Sequence, residues 1–179
     1  MLNSCYSYFL LILFILISGC AHVISNDLRA KVDQSINFNE VFQNPNAYKG
    51  KIVLWGGEII QTLPQKDGTT LIEVLQWPLG WRGEPKRTVS FHGKFLVLVK
   101  EHLDPSLYQI RERITVAGEI LGEMQGDKIE HLTERAYRYP ILLSQQLHLW
   151  KDSYYPYSSP PYQKKGPWEY DPSERPLRF

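Results

Sequence analysis

The chain has 179 residues and a formal net charge of +1, which suggests a single domain and excludes the overall basic bias of a nucleic-acid-binding protein. Its two cysteines, Cys5 and Cys20, both lie in the first 20 residues, so the rest of the chain can hold neither a structural disulfide nor a cysteine metal site.

The first 19 residues carry no charged side chain, and Tyr8 to Ile17 form an apolar run of ten. A helix of that length spans about 15 Å, whereas a bilayer core needs about 20 apolar residues. The run therefore fits a signal-peptide core (residues 1–19) better than a membrane span. It ends in Ile17-Ser18-Gly19-Cys20, which resembles the lipobox of bacterial lipoproteins. Small residues let the backbone enter a peptidase, and the thiol of Cys20 takes a diacylglycerol and then an N-acyl chain. Two or three acyl chains hold firmly where one holds marginally, so membrane lipid is the expected partner of Cys20. Ala21, rather than Asp, follows the cysteine, and by the sorting rule of bacterial lipoproteins this directs the protein to the outer membrane. Met1 to Ser7 lack the Lys or Arg of the usual leader. The alternative is a short uncleaved anchor with Cys20 incidental. Residues 20–36 are read as the lipidated N-terminus and linker, with His22 to Ala30 as a polar spacer.

The domain is expected over residues 37–150. Asn37 to Phe42 read as a short helix that Asn37 or Asn39 can cap, ended by Asn44-Pro45. Ile52 to Leu63 form a strand in which Gly56-Gly57 mark a bend or a close backbone approach. Gln65 to Gly68 are a hairpin turn, and Thr69 to Trp77 are the return strand, with both faces partly apolar. Pro78 to Arg87 are a loop. Thr88 to Lys100 are a third strand, His102 to Tyr108 a short helical or turn segment, and Arg113 to Glu123 a fourth strand. Lys128 to Arg138 read as a weaker fifth strand, which Tyr139 to Trp150 extend or follow as a sixth. Asn44 to Tyr48 before Gly56-Gly57-Glu58-Ile59 are echoed by Asp104 to Tyr108 before Ala117-Gly118-Glu119-Ile120. That echo reflects either a duplication or the shared demands of two similar strands.

Three strands, a short helix between strands three and four, and two or more strands match the order of the OB fold. The expected class is therefore mainly β, a small OB-like barrel of five to six strands. Glycines within strands supply the coil for closure. An open meander or small sandwich is the alternative. From Lys151 the composition changes: six prolines in 29 residues, with Tyr154 to Tyr162 favouring extended polyproline II. Residues 151–179 read as a disordered Pro/Tyr-rich tail or an aromatic arm for partners.

The sequence offers no catalytic motif and no metal motif. The five histidines, His22, His92, His102, His131 and His148, lack HExxH spacing. There is no Gly-x-Ser-x-Gly elbow, and Ser106 and Ser144 have no recognisable base. Glu58 and Glu73 can be imagined as an acid pair, although carboxylates on a barrel's outer face are commoner. An envelope hydrolase is the weakest of the readings. The candidate ligand-binding residues are Trp77, Trp81, Arg82, Lys86 and Arg87, crowded between strands two and three. Aromatics beside guanidinium groups suit stacking on sugars, and tryptophan favours the membrane interface. In an exported chain they point to glycan or lipid headgroups and not to nucleic acid. The alternative is a solvated loop whose tryptophans pack back on the barrel.

The chain resembles the Slp family, the starvation-inducible outer-membrane lipoproteins of Gram-negative bacteria. The resemblance is carried by Ser18-Gly19-Cys20, Asn44-Pro45 with Tyr48 and Gly50, Trp55-Gly56-Gly57, Thr70 to Val74, Trp77-Pro78-Leu79, Leu103-Asp104-Pro105 and Ile114 to Gly118, and runs to about Trp150. It implies an outer-membrane lipoprotein with a small β-barrel and a non-enzymatic role in stationary phase or envelope integrity. The family brings no active site and no cofactor to transfer.

Overall fold

The computed structural model describes residues 22–88, 92–129, 132 and 136–151. The leader with Cys20 and the tail beyond Lys151 lie outside the described residues, as do His131 and its neighbour Glu130. Two short helices, α1 (Asn26–Arg29) and α2 (Phe38–Gln43), precede five strands: β1 (Ile52–Pro64), β2 (Thr70–Gln76), β3 (Lys94–Val99), β4 (Arg113–Gln125) and β5 (Arg138–Trp150). The strands close into a barrel in the order β1-β2-β3-β5-β4. All neighbours are antiparallel except β3 and β5, which pair in parallel from Leu96 opposite Ile141 to Leu98 opposite Leu143. This is the OB-like barrel expected from the sequence.

Alternation along each strand divides inside from outside. Val53, Trp55, Ile59, Ile72, Val74, Phe95, Val97, Ile114, Val116, Ile120 and Leu142 fill the interior and are buried. Closure requires strand backbones to approach where β1 bends. A Cβ at Gly57 would overlap the Leu75 carbonyl, and one at Gly118 would meet the Leu143 carbonyl at 2.7 Å. The expected close approach at the paired glycines is therefore real.

Helix α2 closes one end of the barrel. Asn37 caps it, its side-chain oxygen accepting from the Asn39 amide at 3.0 Å. Phe38 packs edge-on against Trp55 (4.8 Å between centroids) and Phe95 (6.0 Å). The opposite end is closed by Leu103 and Tyr108 from the connection between β3 and β4. Of the two readings for His102 to Tyr108, a short helix or a turn, the structure has turns, in which the Asp104 carbonyl accepts from the Leu107 and Tyr108 amides. Pro105 and the Asp104 side chain, which holds the Ser106 amide at 2.8 Å, favour a tight turn over helix propagation.

Two outer faces are also covered. Leu71, Leu96, Tyr139 and Ile141 lie under Ile129 and Leu132. The fifth strand expected at Lys128 to Arg138 is therefore misplaced. Its described residues are a 3-10 turn (Gly126–Lys128) and a cover for the barrel wall, and the real fifth strand starts at Arg138. On the far wall, Ile24 and Leu28 bury themselves with Ala117, flanked by Val23, Ile52 and Leu54. The stretch read as a polar spacer is thus docked on the barrel. Gln146 fixes it at both polarities, accepting from the Ser25 amide at 3.0 Å and donating to the Val23 carbonyl at 3.3 Å.

Candidate functional site

The loop after β2 folds back over the outer face of β1 and β4. The Trp77 amide donates to the Gly56 carbonyl at 2.9 Å, and Leu79 bridges to Pro85. Within the loop the Gly80 amide reaches the Glu84 carbonyl at 2.7 Å and the Lys86 amide the Pro78 carbonyl at 2.9 Å. Gly83 takes a positive φ of 88°, the left-handed turn that glycine permits. From the barrel wall, Thr115 donates its hydroxyl to the Gly83 carbonyl, and the Arg113 guanidinium donates to the Pro85 carbonyl at 2.9 Å. Small, flat residues at Gly56, Gly83 and Pro85 let the loop lie against the wall.

This geometry separates the candidate residues. Trp77 is only 6% exposed and serves as a buried footing, with the Arg87 guanidinium 5.5 Å above its ring. Arg87 also meets Glu58 at 3.4 Å. Trp81, by contrast, is 67% exposed, with Arg82 5.9 Å from its ring. Lys86 is exposed as well. Trp81, Arg82, Lys86 and Arg87 thus share one braced loop, and Trp77 supports it from below.

Beside the loop, a cleft of 620 Å³ opens between α2, β1 and the end of β2. Arg29, Asp33, Asn37, Gln76 and His92 line it together with Leu54 and Leu79. Buried Gln76 meets the exposed His92 ring, Oε1 to Nδ1, at 3.1 Å. Asp33 stands below its usual carboxylate range because the Ser35 hydroxyl and amide donate to it, with Lys51 adding a weaker pull. No local sequence signal marks this cleft, since its lining comes from four separate segments.

Glu58 and Glu73 do not form an acid pair. Glu58 lies opposite Leu75 and is tied to Arg87, whereas Glu73 lies opposite Gln61 and is held by Tyr139 and Lys94. Among the described residues, no three His, Cys, Asp or Glu side chains converge as a metal site would require.

No curated protein matches the chain. The sequence profile of the outer membrane lipoprotein Slp family matches residues 17–175, from the residues around Cys20 through the barrel and into the Pro/Tyr-rich tail, farther than the Trp150 limit read from the motifs. A match over most of the chain, joined to the closed barrel, establishes that the chain belongs to the Slp family of outer membrane lipoproteins.

Proposed function

We propose that the protein is a non-enzymatic component of the cell envelope, held in the outer membrane by acyl chains on Cys20 and serving envelope integrity under stress or starvation. One observation carries this reading: the docking of Val23 to Leu28 on β4 and β5 just after Cys20. Three residues span at most about 11 Å, so a lipid-bearing Cys20 would hold the barrel close against its membrane. The engagement of Glu58 and Glu73 with separate cations further favours a structural role over acid–base catalysis.

The test compares wild type with Cys20→Ser in membrane fractions, by mass of the mature N-terminus. The expected result is acyl mass on Cys20 and loss of membrane attachment in the variant. Cells lacking the protein are expected to admit more detergent in stationary phase, with rescue by wild type and not by Cys20→Ser. An unmodified Cys20 would remove the anchor, and an unchanged barrier would remove the integrity role.

A second reading is favoured by the exposure of Trp81 beside Arg82: a ligand-binding module for glycan or lipid headgroups, using Trp81, Arg82, Lys86 and Arg87 over Trp77. Binding of vesicles or oligosaccharides that weakens in Trp81→Ala supports it, and identical binding by wild type and variant rejects it.

A further inference from the structure

The braced loop and the entering chain meet. A Cβ placed on Gly83 would stand 3.3 Å from Val23 Cγ2, so the loop's turn abuts the residue three positions after Cys20. Three residues reach at most about 11 Å. Trp81, two positions before Gly83 and 67% exposed, belongs to the same loop that meets the entering chain.

We propose that the loop from Pro78 to Arg87 is a membrane-docking surface, with Trp81 seated in the headgroup layer of the bilayer that holds Cys20 and with Arg82 and Lys86 against its phosphates. The inference rests on the reading of Cys20 as lipid-bearing. Its physical basis is threefold. An exposed indole, apolar in body and with one polar N–H, has its most favourable solvent at the headgroup level. Cationic side chains at the surface of an anionic leaflet add electrostatic attraction. The loop's single carboxylate, on Glu84, accepts the Arg82 amide at 3.0 Å, and Arg87 is matched by Glu58, so the loop keeps a net positive charge with Arg82 and Lys86 exposed.

Preorganisation strengthens the case. The bonds from Thr115 and Arg113 fix the loop to the barrel wall, so Trp81 is held outward by the fold. A glycan platform needs a ring backed by a groove, whereas Trp81 projects from an exposed turn.

The acylated full-length mature protein, reconstituted in phosphatidylethanolamine and phosphatidylglycerol vesicles, tests this with lipids brominated near the headgroup as quenchers of tryptophan fluorescence. Wild type should be quenched, and Trp81→Phe should lose most of that quenching. Trp168→Phe serves as the control and should keep it. Mass spectrometry of the same samples reports acylation. Acylated Cys20 with equal quenching in wild type and Trp81→Phe would overturn the docking surface and leave the anchor standing. Absence of the acyl mass would overturn both.

Discussion

The phenol of Tyr139 donates a 3.0 Å hydrogen bond to the Glu73 carboxylate on the outer wall of the barrel, where both residues are buried. Lys94 approaches the same carboxylate oxygen at 3.3 Å. A charge this deep is tolerated only when partners replace water. Tyr139→Phe removes one partner without changing the ring's packing. The expected loss is about 1.5–3 kcal/mol, the range for a hydrogen bond to a charged group. Urea unfolding checks it, and an unchanged midpoint would mean that water or another donor replaces the phenol.

Gly57 faces a different constraint. A methyl group there would collide with the Leu75 carbonyl, a backbone atom of the paired strand that cannot swing aside. Gly57→Ala is expected to destabilise by about 1–3 kcal/mol, as overpacking does. Gly50→Ala is the informative companion, because a Cβ there meets nothing within 4 Å while φ is +81°, isolating backbone strain from collision. Thermal midpoints of the two variants separate the effects.

Gln146 ties the entering chain to β5. In Gln146→Ala the bonds to Ser25 and Val23 are lost, while the buried Ile24 and Leu28 remain. Global stability should fall by about 1 kcal/mol. Amide exchange of residues 23–30 should accelerate far more than that of the strands, because local opening draws on few contacts. Equal acceleration across the barrel would show that the segment and the barrel unfold as one unit.

The pH dependence has a histidine origin near neutrality. Burial beside Trp150, whose ring centroid lies 4.7 Å away, pulls the His148 pKa below its ordinary 6.5. The neutral ring is therefore favoured in the fold. As pH falls through 6.5 the unfolded chain takes up the proton first, so stability declines with acidification until the lowered folded pKa is passed. His148→Gln should flatten that slope. The hydrogen-bonded carboxylates Asp33, Asp67 and Asp104 act in another window. Their folded pKa values are depressed below 3.8, so their contribution is present above that value and is lost in stronger acid. Unfolding measured from pH 8 to pH 3 distinguishes the two regimes.

Much of the barrel was legible because its strands carry local signals. Ile52 to Leu63 and Arg113 to Glu123 combine β-formers with bends at glycine, Thr69 to Trp77 is rich in β-formers, and each lies within one or two residues of an observed strand. The error around Lys128 has a tertiary cause. Ile129 and Leu132 are apolar because they cover a wall, which no alternation encodes. Pro140 stands inside β5, yet pairing of β5 with β3 begins only at Ile141, so that ladder does not need its missing N–H. Likewise, Val23 to Leu28 look half polar in composition because Val23, Ile24 and Leu28 supply the apolar packing on the barrel wall. At the candidate site the residue types singled out a loop but not how its residues divide between burial and exposure. Burial of Trp77 and exposure of Trp81 follow from how the loop folds back on Gly56 and Thr115.

The pairing order sets a schedule for folding. β5 is the strand that joins β3 to β4, and it is the last to leave any machinery that handles the chain N-terminus first. Until Ile141 to Leu143 emerge, β3 keeps an open edge and the barrel cannot close. Such late, long-range pairing is intrinsically slow. The same topology that seals the finished domain would keep the nascent barrel open and threadable until β5 had emerged.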